Sequence, residues 1–516
     1  MAITSQRRSI ESIFGPGCFR EKPCHFCYAF PGRSALSSRG ALLQLVMNAT
    51  TPDATGVDGA GRGKKIGVVS ALAFAVGAMI GGGVFTLSGT AIDRAGWGSL
   101  VSYAFAGFIM MFSALSFVSI AARAKPDESG YGAITVLLGR PWRFLVMWGF
   151  YLNALAAVAF LADSFGSYLH GYFLHSFTPT EAAIACIALL VGLNLGPAVW
   201  VGRAETWVVA IKLGLLLVFI GWGLSAFSPA HFTSFDSHGD ASILSTSALL
   251  FTAYTGFNVV TNIAPSLRDP EKTVPRAVLG AVLISAVVYM LVVFAMLQSG
   301  ISHFNLAGVS QAASLLMGSW GGQLVAFAAC LSTLSGANAM MLGGSEIAIR
   351  LVADGDIPTF FGKSTRSGYP WMSVGMIGVV ALVLVGFTTI IDVIVLCNIV
   401  ALAAMVIVNA SAAVLAHRGF PGSGYRIPGG PLIPILAGIA CVAQFFSYSL
   451  IQLGSAFVAM LVGFALYAFR GYGRNLTTEE AREKLRESIR DLETPLGRAL
   501  LHPFLHRTIS AIDRSI

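Results

Sequence analysis

A chain of 516 residues that is 55% hydrophobic and 11% charged lacks the composition of a soluble domain, where roughly a quarter of residues are charged. Its mean hydropathy of +0.74 and its recurring apolar runs of about 20 residues identify an integral membrane protein. The net charge of +8 calls for no nucleic-acid partner, because no cluster of basic and aromatic residues accompanies it.

Residues 1–64 form an expected cytoplasmic tail, with no long apolar run and much Gly, Ser and Arg. Cys18, Cys24 and Cys27 lie here with His25 between the last two, but no second pair follows at zinc-finger spacing. Met47 offers an alternative start to this tail. The expected membrane domain, residues 65–471, holds twelve apolar runs at roughly 66–92, 98–122, 133–162, 180–200, 204–227, 242–266, 276–300, 320–350, 371–388, 391–416, 432–449 and 451–470. The first run can direct insertion, so no secretory signal is needed. Thirteen loop Lys and Arg residues, from Arg123 to Arg426, fall on one side of this arrangement and only Arg94 on the other. That bias predicts both termini in the cytoplasm and a multi-pass protein of the plasma membrane. Cys186, Cys330, Cys397 and Cys441 fall within spans and read as small apolar residues. Residues 472–516 form a second cytoplasmic tail, where Thr477 and Glu480 make a capping box at the start of an amphipathic helix. His502 and His506 in this tail have no acidic partner and Pro503 between them, so they do not read as a metal site.

Two spans are interrupted. Gly81, Gly82 and Gly83 lie midway along span one, where they are a poor way to continue a helix. Exposed backbone at bilayer depth must line a cavity or be covered by protein, and broken helices at the midplane are where transporters bind small substrates. Helix packing through Gly77 and Gly81, a G-x-x-x-G face, is the other open reading. Span six repeats the feature, with Gly256 near its centre beside Thr252, Tyr254, Thr255 and Asn258. Interruptions at the first position of each five-span half predict an all-α, five-plus-five inverted-repeat core with two further C-terminal spans.

The residues also resemble a family. Gly77-Ala78-Met79-Ile80-Gly81-Gly82-Gly83-Val84-Phe85 is similar to the G-x-x-I-G-[SAG]-G-I-F signature of amino acid permeases in the amino acid–polyamine–organocation superfamily. Gly256, Phe257, Asp269-Pro270, Lys272, Val274-Pro275 and Ala277 match that family's span-six motif and following loop. Asp354-Gly355 with Ile357-Pro358, and Pro126, Gly130 and Tyr131, resemble its loop signatures. The resemblance spans about residues 64–470. The family's acidic residue after the span-six G-F is Asn258 here, its paired glutamates are Pro265-Ser266, and its span-eight arginine gives way to Glu346 with Arg350 one turn later. Loss of the fixed carboxylate predicts neutral rather than cationic substrates.

Lys212 is the isolated charge of span five, roughly 14 Å along a helix and near the midplane of a roughly 30 Å core. Exposure to lipid there costs at least roughly 2.5–3.5 kcal/mol, so it is expected to face the protein interior. In proton-coupled members of the family a lysine in this span stands where sodium-coupled relatives hold their ion, and Lys212 resembles that lysine. A purely structural hydrogen-bonding role is the alternative. Glu346 and Arg350 read as a local i,i+4 pair, Asp93, Asp163 and Asp392 as solvated span ends, and Asn194, Asn338 and Asn398 as interhelical hydrogen-bonding groups.

These residues predict a secondary transporter for small amino acids, driven by protons or by exchange. The expected substrate-binding set is Ile80, Gly81, Gly82, Gly83, Val84, Thr252, Ala253, Tyr254, Gly256 and Asn258, with Lys212 for coupling. Free carbonyls before Gly81 suit an ammonium group and free N–H groups after it suit a carboxylate; Tyr254 is either an aromatic lid or a packing residue. An exchanger of amino acids or amines, and a channel or nutrient sensor on the same scaffold, are the rival readings. No H-E-x-x-H, G-x-S-x-G or P-loop is present, so neither an enzyme nor a cofactor is expected.

Overall fold

The first span enters as α1 (Val68–Met79), breaks, and resumes as α2 (Gly83–Ala95) at an angle of 50°. The computed structural model describes residues 67–122, 131–195, 199–229, 232, 235, 239–257, 259–262, 267–301, 303–365, 370–418 and 425–468. The expectations for the N-terminal cysteines, Met47, the loop residues Pro126 and Gly130, Asn258, Pro265-Ser266 and the C-terminal tail therefore fall outside the described residues.

After α2 come α3 (Gly98–Ala121), a short α4 (Gly132–Leu138), α5 (Arg140–Tyr172), α6 (Pro179–Asn194) and α7 (Val199–Ser225). The sixth run is broken into α8 (Asp240–Leu250), a 3₁₀ turn (Phe251–Tyr254) and the single turn α9 (Val259–Asn262). Then follow α10 (Pro270–Leu297), α11 (Gly308–Met317), α12 (Ser319–Ala353), α13 (Trp371–Phe387), α14 (Ile390–Arg418), α15 (Leu432–Phe445) and α16 (Leu450–Ala468). Among the described residues, seven helices are long and apolar enough to cross a membrane, or eight counting the bent α1–α2 pair, and α6, α13 and α15 are shorter apolar helices. Every regular element among them is helical, as backbone in lipid must satisfy its own hydrogen bonds.

Several boundaries differ from the sequence expectation. The run starting near residue 133 is two helices, because Gly139 at φ 104° turns the chain between α4 and α5. Helix α5 extends to Tyr172, which puts Asp163 nine residues inside the helix and half-buried rather than at a solvated end. The amphipathic α11 lies between α10 and α12 and was not anticipated.

Helix α5 is the hub. Within its apolar window 89% of residues are buried, against 17% for α16 at the periphery. It packs on α6, α12 and α14. Lipid tails are as apolar as the side chains they would replace, so close contact rather than water exclusion holds such helices together. Small residues supply it. A Cβ on Gly344 of α12 would lie 2.9 Å from the Ala154 Cβ of α5, and one on Gly149 of α5 would lie 3.1 Å from the Val400 carbonyl of α14.

Candidate functional site

The break in span one is held open by side chains from other helices. Helix α1 ends with Ile80 as its C-cap, and the chain turns through Gly81 and Gly82 before α2 begins. The expectation of free carbonyls at Met79 and Ile80 is corrected by the contacts. Met79 accepts from the Gly81 N–H and from the Tyr289 hydroxyl, each at 2.8 Å. Ser332 of α12 donates to the carbonyls of Ile80 and Gly81, at 3.1 and 2.7 Å. The Ala78 carbonyl, in contrast, has no partner among the described residues. Across the break, the N–H groups of Gly82, Gly83 and Val84 head α2 with no acceptor among the described residues. Among the described residues, an open carbonyl thus precedes the turn and open N–H groups follow it, with the positive end of the α2 dipole at those donors.

Span six breaks against span one. A Cβ on Gly83 would lie 2.8 Å from the Ala253 Cα, so only glycine allows this crossing. Gly256 sits at φ 104°, a region that disfavours side chains, and its Cα faces the Ala78 carbonyl. Thr252 and Ala253 are also not free acceptors. Thr252 accepts from the N–H and hydroxyl of Thr255, and Ala253 accepts from Tyr289 at 2.9 Å. Tyr289 therefore reaches the carbonyls of both breaks with one hydroxyl. Asn398 of α14 secures the break from behind, donating to Leu249 and accepting from the Thr252 N–H at 2.9 and 2.7 Å. Tyr254 is fully buried and donates to the Tyr103 carbonyl at 2.8 Å, which is the geometry of a packing residue.

Lys212 is fully buried, as its position in span five required. Its Nζ donates to the Gly77 carbonyl at 2.8 Å and lies 3.5 Å from the Ser335 hydroxyl of α12. It joins span five to span eight and to span one less than a turn before the break. Leu161 of α5 closes the other side: a Cβ on Gly82 would lie 2.0 Å from its Cδ2.

A cavity of about 50 Å³ lies beyond Gly256. Of the expected binding residues among those described, Gly256 lines it, while Ile80–Val84 and Thr252–Tyr254 are buried and do not. Thr255, Asn153 and Thr261 give it polar groups, and Glu346 and Arg350 of α12 reach its edge. Sequence reasoning treated those two as a local helix pair. No salt bridge joins them, and both point to the cavity. At the same end of the bundle, Arg140 and Arg143 of α5 clamp the loop after α12. Arg143 meets Asp356 at 2.8 Å and Asp354 at 3.1 Å, while Arg140 meets Asp356 at 2.8 Å and the Asp354 carbonyl. Burial pushes the Asp356 carboxyl up, and the two guanidinium groups counter that shift only in part.

Residues 70–487 match the family model described as amino acid permease. The chain belongs to the amino acid permease family. This agrees with the superfamily resemblance of its span-one and span-six motifs, and makes it a multi-pass membrane transport protein. The permease is 24% identical to the branched-chain amino acid permease BcaP of Bacillus subtilis over 430 residues, 78% of this chain and 92% of that one. It is 30% identical to the inner membrane transport protein YbaT of Escherichia coli over 332 residues, 62% and 76% of the two chains. A methylthioribose transporter of Bacillus subtilis is 26% identical over 401 residues, 73% and 86%.

Proposed function

We propose that the permease is a secondary active transporter that takes up neutral amino acids across the plasma membrane by alternating access, coupled to protons. The observation that carries this reading is the buried break of span one, with the Ala78 carbonyl open on one side and the N–H groups of Gly82–Val84 open on the other. An α-ammonium fits the first and an α-carboxylate the second. The domain is read as twelve crossings, a five-plus-five inverted repeat and two additional spans, with both termini cytoplasmic; this orientation puts the cavity beyond Gly256 on the cytoplasmic side. Leu161 then separates the break from the outside. Aliphatic substrates fit the similarity to a branched-chain amino acid permease and the apolar surroundings of the break. Asn258 in place of a carboxylate points the same way, and Asn258→Asp is expected to shift preference toward cations.

Lys212 supplies the coupling group in this reading. Protonated, it holds the end of α1 against α12 through Gly77 and Ser335; neutral, it loosens that contact and lets α1 move. The test is uptake into proteoliposomes of a labelled neutral amino acid panel, with and without an inside-alkaline gradient. Accumulation that requires the gradient is expected. Uptake only against preloaded substrate would make the protein an exchanger, and no uptake of any amino acid by folded protein would refute the transport reading.

A further inference from the structure

The cavity beyond Gly256 contains an arrangement that transport through the break does not use. Glu346 and Arg350 are four residues apart on α12, about 6 Å along the helix axis. Both line the cavity, yet neither forms a salt bridge among the described residues. Nearby charges behave differently: Arg140 and Arg143 both form salt bridges in the loop after α12, with Asp354 and Asp356. The two opposite charges form no salt bridge with each other, and both line a largely apolar chamber. Met147, Phe150, Met340 and Met405 form much of its wall. Methionine is an unbranched, adaptable lining for aliphatic groups of varied shape.

We propose that Glu346 and Arg350 form a second, transit site for a zwitterionic amino acid in this vestibule, separate from the break of span one. Glu346 takes the ammonium group, Arg350 takes the carboxylate in bidentate fashion, and the methionine-lined wall takes an aliphatic side chain. The ligand carries no net charge, so each protein charge gains a partner without importing an unpaired one. Gly256 lines the same cavity and touches the break, so the site lies on the route between break and cytoplasm. This inference rests on the transport reading and the orientation proposed above.

The experiment compares KM from the two faces of the membrane, using right-side-out and inside-out vesicles of wild type, Glu346→Gln and Arg350→Gln with labelled leucine. Each variant is expected to raise the cytoplasmic KM roughly tenfold or more, the loss of charge-assisted hydrogen bonding at one pole of the ligand, while the outer KM stays near wild type. Competition from the cytoplasmic face assigns the poles. Wild type should prefer leucine over leucinamide, which lacks the carboxylate, and over 4-methylpentanoate, which lacks the ammonium. Arg350→Gln should lose the first preference only, and Glu346→Gln the second only. Should either Gln variant fail to fold, Glu346→Asp and Arg350→Lys keep the charge and are expected to keep the preference with a smaller rise in KM. Equal changes at both faces, or unchanged analogue preferences, overturn the transit site and leave the pair as a gate or a structural element. Wild type that turns over leucine in these vesicles while the variants match it refutes this proposal alone; wild type inactive with every amino acid refutes the transport reading as well.

Discussion

The two broken spans are built alike in outline and differently in polarity. In span one the carbonyls around the turn are largely capped by Tyr289, Ser332 and Lys212, three side chains from three other helices, and the donors of α2 remain open. In span six Asn398 and Thr255 satisfy donor and acceptor alike, and what remains is a glycine hinge against the cavity. Among the described residues, the open donors therefore lie on span one, and span six contributes a close glycine crossing. Two breaks placed together are not thereby equivalent, since each is finished by whichever side chains the opposing helices bring.

Gly82→Leu breaks this comparison most severely. Its side chain collides with Leu161, an overpacking cost of about 1–3 kcal/mol or more, and covers the α2 donors. Transport is expected to vanish. The double variant Gly82→Leu with Leu161→Ala returns the volume, so folded yield should recover while uptake stays absent. Recovery of uptake in the double variant would reduce the break to packing.

Removal of the lysine comes next. Lys212→Ala strips the Gly77 carbonyl of a charged donor, a loss of about 1–3 kcal/mol. Initial uptake rate plotted against external pH, normalised to protein in the membrane, should lose its dependence on an imposed gradient. A retained response with lower folded yield makes Lys212 structural.

On span six, Asn398→Ala leaves the Leu249 carbonyl and the Thr252 N–H buried without their partner, again costing about 1–3 kcal/mol. The melting temperature should fall while KM for the preferred substrate stays close to wild type. A KM effect exceeding the stability effect would move recognition from span one to span six. The smallest change is Tyr254→Phe, which removes one neutral hydrogen bond worth about 0.5–1.5 kcal/mol. Uptake should persist with unaltered KM, and a raised KM would restore Tyr254 as a lid.

Much of this architecture was legible in the chain. Apolar runs mark helices because lipid offers no partner for open backbone, and Gly81–Gly83 and Gly256 mark the two interruptions because glycine weakens a helix wherever it sits. Lys212 could be assigned to the interior from the cost of exposing it to lipid. Asn194 and Asn338, read as interhelical groups, meet at 2.7 Å. Asp163 was misjudged since α5 runs on to Tyr172 and packs on α6, which hydropathy does not record.

The sequence by itself determined that this protein lies in a membrane, where its backbone is interrupted, and which family its motifs belong to. These are consequences of local composition and spacing. Tertiary structure alone decided which carbonyls at the break are capped, that Lys212 meets Gly77 and Ser335, that Leu161 covers Gly82, and that Glu346 and Arg350 face a common cavity. The physical reason is separation along the chain. Lys212 and Gly77 are 135 residues apart and Ser332 and Ile80 are 252 apart, so these contacts exist only once helices distant in sequence have packed side by side.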